Sequence, residues 1–539
     1  MIQVKISLWK EDLVLEYYYN QLLRRGFKLM IYIKTLNRVI NKLDNIAIIQ
    51  DGDKVTYGEL IALADNMSNF FQKSGVNRGD KVICLLKTSI ETIVILLALN
   101  KMGAVFVPIP IEVTKKIFDK YVTLISPKMV IGYDNNEVIF AKDTQYCINY
   151  INYRDKILVN KIVYNEQVLI KKISTSTFEE QKLSKMYQNK NDVAEILFTS
   201  GSTGEPKGIV LTNDNICCNV EGIIAYTDLS YNDKVLIIKN ICHSSTINGE
   251  IITSLFAGAT IVTSKKLVTP KLMSRYIEKY NISVLFLIPT ILIKLIEFVK
   301  SQNKKMNSIR LINFYGSTIS KNNIKKCIDV FNGVKIIYSY GLTEASPRVT
   351  YMDINKNVKK IGSSGIPIKG TKITIRNKKT ASICKKNEIG EIYVQGRNVM
   401  KEYYNNIELT NKVITKYGLK TGDIGYLDKD NYLYVLGRKD DMIIRAGSNI
   451  YPAEIENIIA QCEYVSQVLV YGEKKESDIG TKIVASIELK EKFIHEDNIK
   501  SKIYKYCIRN MEKSKVPDVI EISEKLDVTF TGKLRRKKY

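Results

Sequence analysis

The chain has 539 residues, 45% hydrophobic and 25% charged, a globular balance that excludes disordered, collagen-like and coiled-coil chains. At roughly 150 residues per domain, this length predicts two to four domains. The net charge is +25, but the basic excess is spread along the whole chain rather than gathered in an arm. It reads as compositional bias, and no nucleic-acid partner is expected.

Residues 1–45 mix aromatic and basic positions such as Trp9, Tyr17, Tyr18, Arg24, Arg25 and Phe27. They predict one or two amphipathic helices, packed on the main body or lying on a membrane surface. From Asn45 onward, IAIIQ and VICLL read as buried strands, and TYGELIALADNMSNFFQKSG reads as a helix ending near Gly75. A second strand–helix–strand unit follows in KVICLLKTSIETIVILLALNKMGAVFVPIP. This alternation predicts α/β architecture with largely parallel sheets. The apolar runs Ile90 to Leu99 and Val284 to Ile293 fall short of the ~20 residues a membrane helix needs and read as core elements, so the chain is not expected to be transmembrane. Residues 133–190 are polar and irregular.

Near Gly437, YLYVLGRKDDMII runs from a strand through a charged tetrad into another apolar segment, which suits a hinge. Three parts are therefore expected: an N-terminal helical extension (1–45), a large domain (46–437) and a smaller C-terminal α+β domain (438–539). Nine cysteines, with no C-x-x-C pair and no signal peptide ahead of them, point to a reducing cytoplasm. Two histidines, His243 and His495, leave little for a histidine-based zinc site, and a G-x-S-x-G elbow is lacking.

The segment EILFTSGSTGEPKGIVLTNDNI, Glu195 to Ile216, carries the strongest chemical signal. A strand at Ile196–Phe198 leads into Thr199, Ser200, Gly201, Ser202, Thr203, Gly204, Glu205, Pro206, Lys207 and Gly208, and Thr212 is placed to cap a helix. Glycines let backbone N–H groups face an anion, hydroxyls add donors, and Lys207 adds a full charge. A Walker A loop would need Gly-Lys-Ser/Thr where Pro206, Lys207 and Gly208 stand.

This segment resembles the phosphate-binding signature of the adenylate-forming superfamily, which includes acyl- and aryl-CoA synthetases, peptide-synthetase adenylation domains and luciferases. The resemblance continues in order through YSYGLTEAS (Tyr338 to Ser346), GEIYVQGRNVMKEYYNN, LKTGDIGYLDKDNYLYVLGRKDDMIIRAGSNIYPAEIE and LDVTFTGKLRR. It covers residues 46–537 and departs from the pattern at Glu402, Leu419 and Asp527, where glycine, tryptophan and proline are usual. It implies the adenylate-forming fold, with a large domain of parallel-rich sheets and packed helices and a small mobile C-terminal lid.

The resemblance also implies site roles. Thr199 to Lys207 would hold the β- and γ-phosphates of ATP, Thr343 would contact phosphate, and Glu344 would bind Mg²⁺. Adenine would sit between the Gly316-Ser317-Thr318 turn and the backbone around Ser339, Tyr340 and Gly341. Asp423 would accept the ribose hydroxyls and Arg438 would reinforce it. Lys533 would bridge the acid and the α-phosphate, Asp440 would be the hinge, and Gly447 would line the thiol channel.

By the same resemblance, NICHSSTINGEII places His243 in the family motif that would line the acid's pocket. The absence of a carboxylate at that position disfavours an amino-acid ammonium, whose burial without a partner is costly. Cys242 has no arranged base and is not expected to be a nucleophile. The expected reaction is ATP-dependent formation of an acyl-adenylate, then transfer to coenzyme A or to the phosphopantetheine of a carrier protein. A stand-alone amino-acid adenylation protein, a luciferase-like oxygenase and a non-catalytic basic nucleotide-binding protein are the alternatives.

Overall fold

The computed structural model describes residues 31–134, 137–141, 191–200, 206–266, 268–317, 319–445, 448–473 and 481–526. Gly201, Ser202, Thr203, Gly204, Thr318, Gly447 and Lys533 lie outside the described residues, as do 1–30 of the N-terminal extension and 142–190 of the irregular stretch.

The fold is α/β, with a large N-terminal domain and a smaller C-terminal one. A nine-stranded sheet runs in the order Ile366–Pro367, Arg348–Asp353, Lys335–Gly341, Leu311–Tyr315, Val284–Leu287, Lys234–Ile237, Thr260–Thr263, Ile46–Gln50, Asp53–Thr56. Its strands from Lys335–Gly341 to Ile46–Gln50 are parallel, and the flanking strands are antiparallel. A seven-stranded sheet runs Glu402–Tyr403, Pro206–Thr212, Val193–Ser200, Val105–Pro108, Lys81–Cys84, Met129–Asp134, Glu137–Ala141. A third, antiparallel sheet is built on Gly390–Gly396 and Gly418–Leu427.

Local sequence accounts for these elements. Thr56 and Glu59 form a reciprocal capping box that starts the helix Tyr57–Lys73, satisfying donors that the first turn leaves unpaired. The helix Ile90–Met102 starts at Ser89, whose hydroxyl accepts from the Thr92 N–H, and stops at Gly103 with φ 74°. It is buried on nearly every face, which explains its unbroken apolar composition without a membrane. The second apolar run divides into the strand Val284–Leu287 and a helix, Pro289–Ser301. Among the described residues no helix is long and apolar enough to cross a membrane.

The described part of the N-terminal extension packs on the large domain. Helix Ile31–Val39 buries Ile31, Tyr32, Leu36 and Val39 in the main core, and the Tyr32 hydroxyl donates to Asp65, which also pairs with Lys101 at 2.6 Å. Residues 443–526 contribute a separate core around Ile455, Ile459, Val470, Ile483, Ile487 and Ile503. That core rests on the sheet of Val465–Glu473, Lys482–Leu489 and Val519–Ser523.

Candidate active site

Two paired strands flank the Ser/Gly-rich segment. Val193–Ser200 and Pro206–Thr212 pair antiparallel, with Thr199 opposite Lys207 and Ser200 opposite Pro206. From the sequence, the loop leads from a strand toward a capped helix. Instead, a full strand intervenes, and Thr212 caps the helix Asn213–Thr227 through a reciprocal bond with Asn215. Two β-branched residues, Ile209 and Val210, favour that strand. Gly208 is closely packed, since a Cβ there would lie 3.1 Å from Tyr404 Cβ and 3.2 Å from Ile196.

On the far side of this hairpin, Tyr403 pairs with Ile209, and its hydroxyl donates to Glu344 Oε1 at 2.8 Å. The Glu344 carbonyl accepts from the Met400 N–H at 2.8 Å. The phosphate-loop candidate and the metal-ligand candidate are thereby tied through one tyrosine. Thr343 and Glu344 share a single helical turn, Thr343–Ala345, and the Ser244 hydroxyl lies 3.2 Å from Thr343 Oγ1. Half-buried His243, just before Ser244, is brought to the same place.

Asp423 is the third anchor. It is 6% exposed and stands opposite Arg438 in the ladder of Gly418–Leu427 with Leu433–Arg438. Arg438 Nε is 3.0 Å from Asp423 Oδ1, and its Nη1 donates to the Thr421 carbonyl at 2.9 Å. The Tyr340 hydroxyl donates to Asp423 Oδ2, and burial together with that carboxylate holds the Tyr340 phenol well above its usual range. The neighbouring Asp423 carboxylate raises the Arg438 guanidinium above its usual value.

Tyr315 pairs with Ser339 in parallel register, so the exposed Gly316 and Ser317 leave their strand beside Tyr340. The crevice beyond the carboxyl ends of parallel strands is where open α/β sheets bind ligands. Ser339 itself turns inward, accepting from Asn313 Nδ2 at 2.9 Å and lying 3.3 Å from the Tyr226 hydroxyl. Its side chain is scaffold. Gly341 admits no other residue, because a Cβ would stand 1.9 Å from the Pro347 carbonyl oxygen.

Asp440 is exposed in the turn between Leu433–Arg438 and Ile443–Arg445. Before it, Lys439 is anchored to Glu391 at 2.6 Å. Leu419 is buried in the main core, and Glu402 is a strand residue opposite Val210, so two of the three departures from the family pattern sit in ordinary packing positions; the third, Asp527, lies outside the described residues. Burial pushes the Cys242 thiol far up, against any role as a thiolate.

Several functional candidates had no motif to reveal them. The helix after His243 contains a π-helical segment, Ile247–Ile252, a feature that often marks functional sites. Glu250 on it pairs with Lys239, and Tyr315 bonds both. Burial pushes Glu250 up to about 7 and Lys239 down to about 8, each partly offset by the other's charge. Asn248 donates to Glu195, whose carboxyl burial raises to about 8. Alternation along the strand and the helical repeat place these polar residues inward, but nothing in their local sequence distinguishes them from surface charge.

Two linked sets of candidates result: Tyr403 ties the strand Pro206–Thr212 to Glu344, and Tyr340 and Arg438 close on Asp423. The AMP-binding enzyme family matches residues 37–404 and its C-terminal domain matches 454–533. The chain belongs to the AMP-binding enzyme family and is acyl-CoA-synthetase-like. It is 27% identical to a 2-succinylbenzoate–CoA ligase of Oceanobacillus iheyensis over 90% of this chain and 94% of that one. It is 28% identical to a long-chain-fatty-acid–CoA ligase of Bacillus subtilis, covering 92% and 91%. In fold it is similar to the O-succinylbenzoate coenzyme A synthetase of B. subtilis in complex with ATP and magnesium, with a TM-score of 0.78, 25% identity, and coverage of 93% and 98%.

Proposed function

We propose that this protein activates a carboxylic acid with ATP and passes the acyl group to the thiol of coenzyme A. The observation that carries the reading is the linkage just described: Tyr403 joins the Lys207 hairpin to Glu344, while Tyr340 joins the Gly316 turn to Asp423 and Arg438. In the first step the acid's carboxylate oxygen forms a bond to the α-phosphorus and the bond to pyrophosphate breaks. In the second, the thiol loses its proton, its sulfur bonds the acyl carbon, and AMP departs.

Two anions repel as they approach, most strongly where water is excluded. Lys207, the hydroxyl of Thr199 and, by their motifs, Ser200 and Lys533 supply compensating charge and donors. Asp423 keeps acceptor capacity for ribose hydroxyls, since a carboxylate offers about four lone-pair sites. Arg438 fixes its orientation.

Glu344 fits a Mg²⁺ ligand. Tyr403 orients the carboxylate, and among the described residues no cluster of three or more His, Cys, Asp or Glu could hold a metal. A single carboxylate completed by phosphate and water oxygens is the arrangement Mg²⁺ favours. Bound there, the ion would neutralise phosphate charge. His243 lines the acid side, Asp440 serves as the hinge and Gly447 borders the thiol path.

Acid-dependent exchange of labelled pyrophosphate into ATP tests the first step, over fatty, aryl and amino acids. Release of AMP with coenzyme A or with a phosphopantetheinylated carrier protein tests the second. Exchange with no acid of any class overturns the reading; exchange with amino acids alone replaces it with the adenylation-protein alternative.

A further inference from the structure

Arg348 begins the strand Arg348–Asp353, directly opposite Gly341 in the ladder that carries Tyr340. Its side chain is 2% exposed, and its guanidinium carbon lies 3.5 Å from the centre of the Tyr315 ring. Among the described residues, Nε and Nη2 have no hydrogen-bond partner. A buried donor left unpaired costs about 1–3 kcal/mol, more when charged, so two on one guanidinium call for an explanation. These two nitrogens form one edge of the planar fork, the edge that meets a carboxylate with two parallel N–H···O bonds.

Three further observations point the same way. Lys239 and Glu250 pair with each other, so the guanidinium is the surplus cation of this buried group. Glycine at 249 keeps the free edge uncrowded, because a Cβ there would lie 3.3 Å from Nη2. The elements around the fork are those of the candidate site: Tyr315 precedes the Gly316 turn, and Gly249 lies on the helix that begins after His243.

Resting on the acid-activation reading above, we infer that the acid this chain accepts bears a second carboxylate, remote from the one that is activated, and that Arg348 selects it. Arg348 is thus a specificity-determining residue. The Tyr315 ring, the Glu250 charge and the Tyr226 hydroxyl hold it in place.

The test uses the full-length protein and matched pairs of acids: α,ω-dicarboxylic acids and aryl acids with a second carboxylate, each against its half methyl ester. Pyrophosphate exchange gives kcat/KM for both members, and calorimetric titration reads binding without turnover. The dicarboxylate of the best pair is expected to exceed its ester by about 30-fold or more. In Arg348→Met that ratio collapses, and in Arg348→Lys, which keeps charge but loses the fork, it falls partway. Gly249→Ala lowers the ratio without altering any charge, which guards against misfolding of the arginine variants; melting curves confirm that each variant is folded. Esters activated as well as dicarboxylates in every pair, or a ratio that Arg348→Met and Gly249→Ala leave unchanged, overturns the inference while acid activation stands. Arg348-dependent calorimetric binding of a dicarboxylate, with no exchange for any acid, supports the subsite and overturns the activation reading instead.

Discussion

Two buried charged groups lie on either side of the Lys335–Gly341 strand, and they solve the same problem differently. At Asp423 the chain closes its own circuit: Arg438 and Tyr340 take the two carboxylate oxygens, and the Asp423 N–H donates to Thr421 Oγ1 at 3.0 Å. Around the π-helical segment the circuit stays open. Among the described residues, Glu195 Oε2, Asn248 Oδ1, Glu250 Oε2 and the Arg348 edge are all buried without hydrogen-bond partners. A closed group positions a ligand that arrives at its rim. An open one stores unsatisfied hydrogen-bonding capacity that a ligand entering the group can use, because low dielectric makes an unpaired group expensive.

The comparison can be broken in several places. Glu344→Gln is expected to lower the turnover of pyrophosphate exchange by about 100-fold or more, and unchanged turnover would remove Glu344 from the phosphate side of the site. Asp423→Asn leaves Arg438 and Tyr340 in place but takes away the charge they are arranged around. The expected result is a rise of about 30-fold in the KM for ATP, with little change in the preference between acids; a shift in acid preference would mean the two groups are not separate.

The open group also predicts a pH dependence. Glu195 titrates near 8 in the folded protein against ~4.3 when unfolded, so the native state holds a proton the unfolded state has lost. Its contribution to stability is complete below about pH 4.3 and disappears as pH rises through 8, at up to about 1.4 kcal/mol per pH unit. Glu195→Gln should therefore flatten the decline of melting temperature between pH 5 and 8 and be the more stable form above that range. Parallel profiles for the two proteins would show that Glu195 is ionised in the fold. The smallest expected effect is Tyr340→Phe, which opens one bond of the closed circuit and should raise the KM for ATP by about 5-fold.

Much of the site was legible because its chemistry is local. The Thr199–Lys207 segment implies anion binding by its composition, Thr343, Glu344, Asp423 and Arg438 are assigned only by resemblance through the order of their motifs, and the helix cap at Thr212 follows from residue type. The hairpin was misread as a strand feeding a helix because the run from Pro206 to Thr212 is short, and periodicity cannot separate a brief buried strand from a helical entry. Tyr403 stood inside a quoted motif, yet its bond to Glu344 spans 59 residues and has no sequence signal.

The sequence by itself determined the α/β class, the order of the motifs and the type of chemistry, since these depend on hydrophobic periodicity and on residue types held within a few positions. Only the tertiary structure decided that Ser339 is scaffold, that Tyr340 closes on Asp423, and that Lys239, Glu250 and Arg348 meet inside the protein with a guanidinium edge left over. A charge acquires its partners, or lacks them, through contacts between strands and helices remote in the chain, and burial fixes the cost of each vacancy.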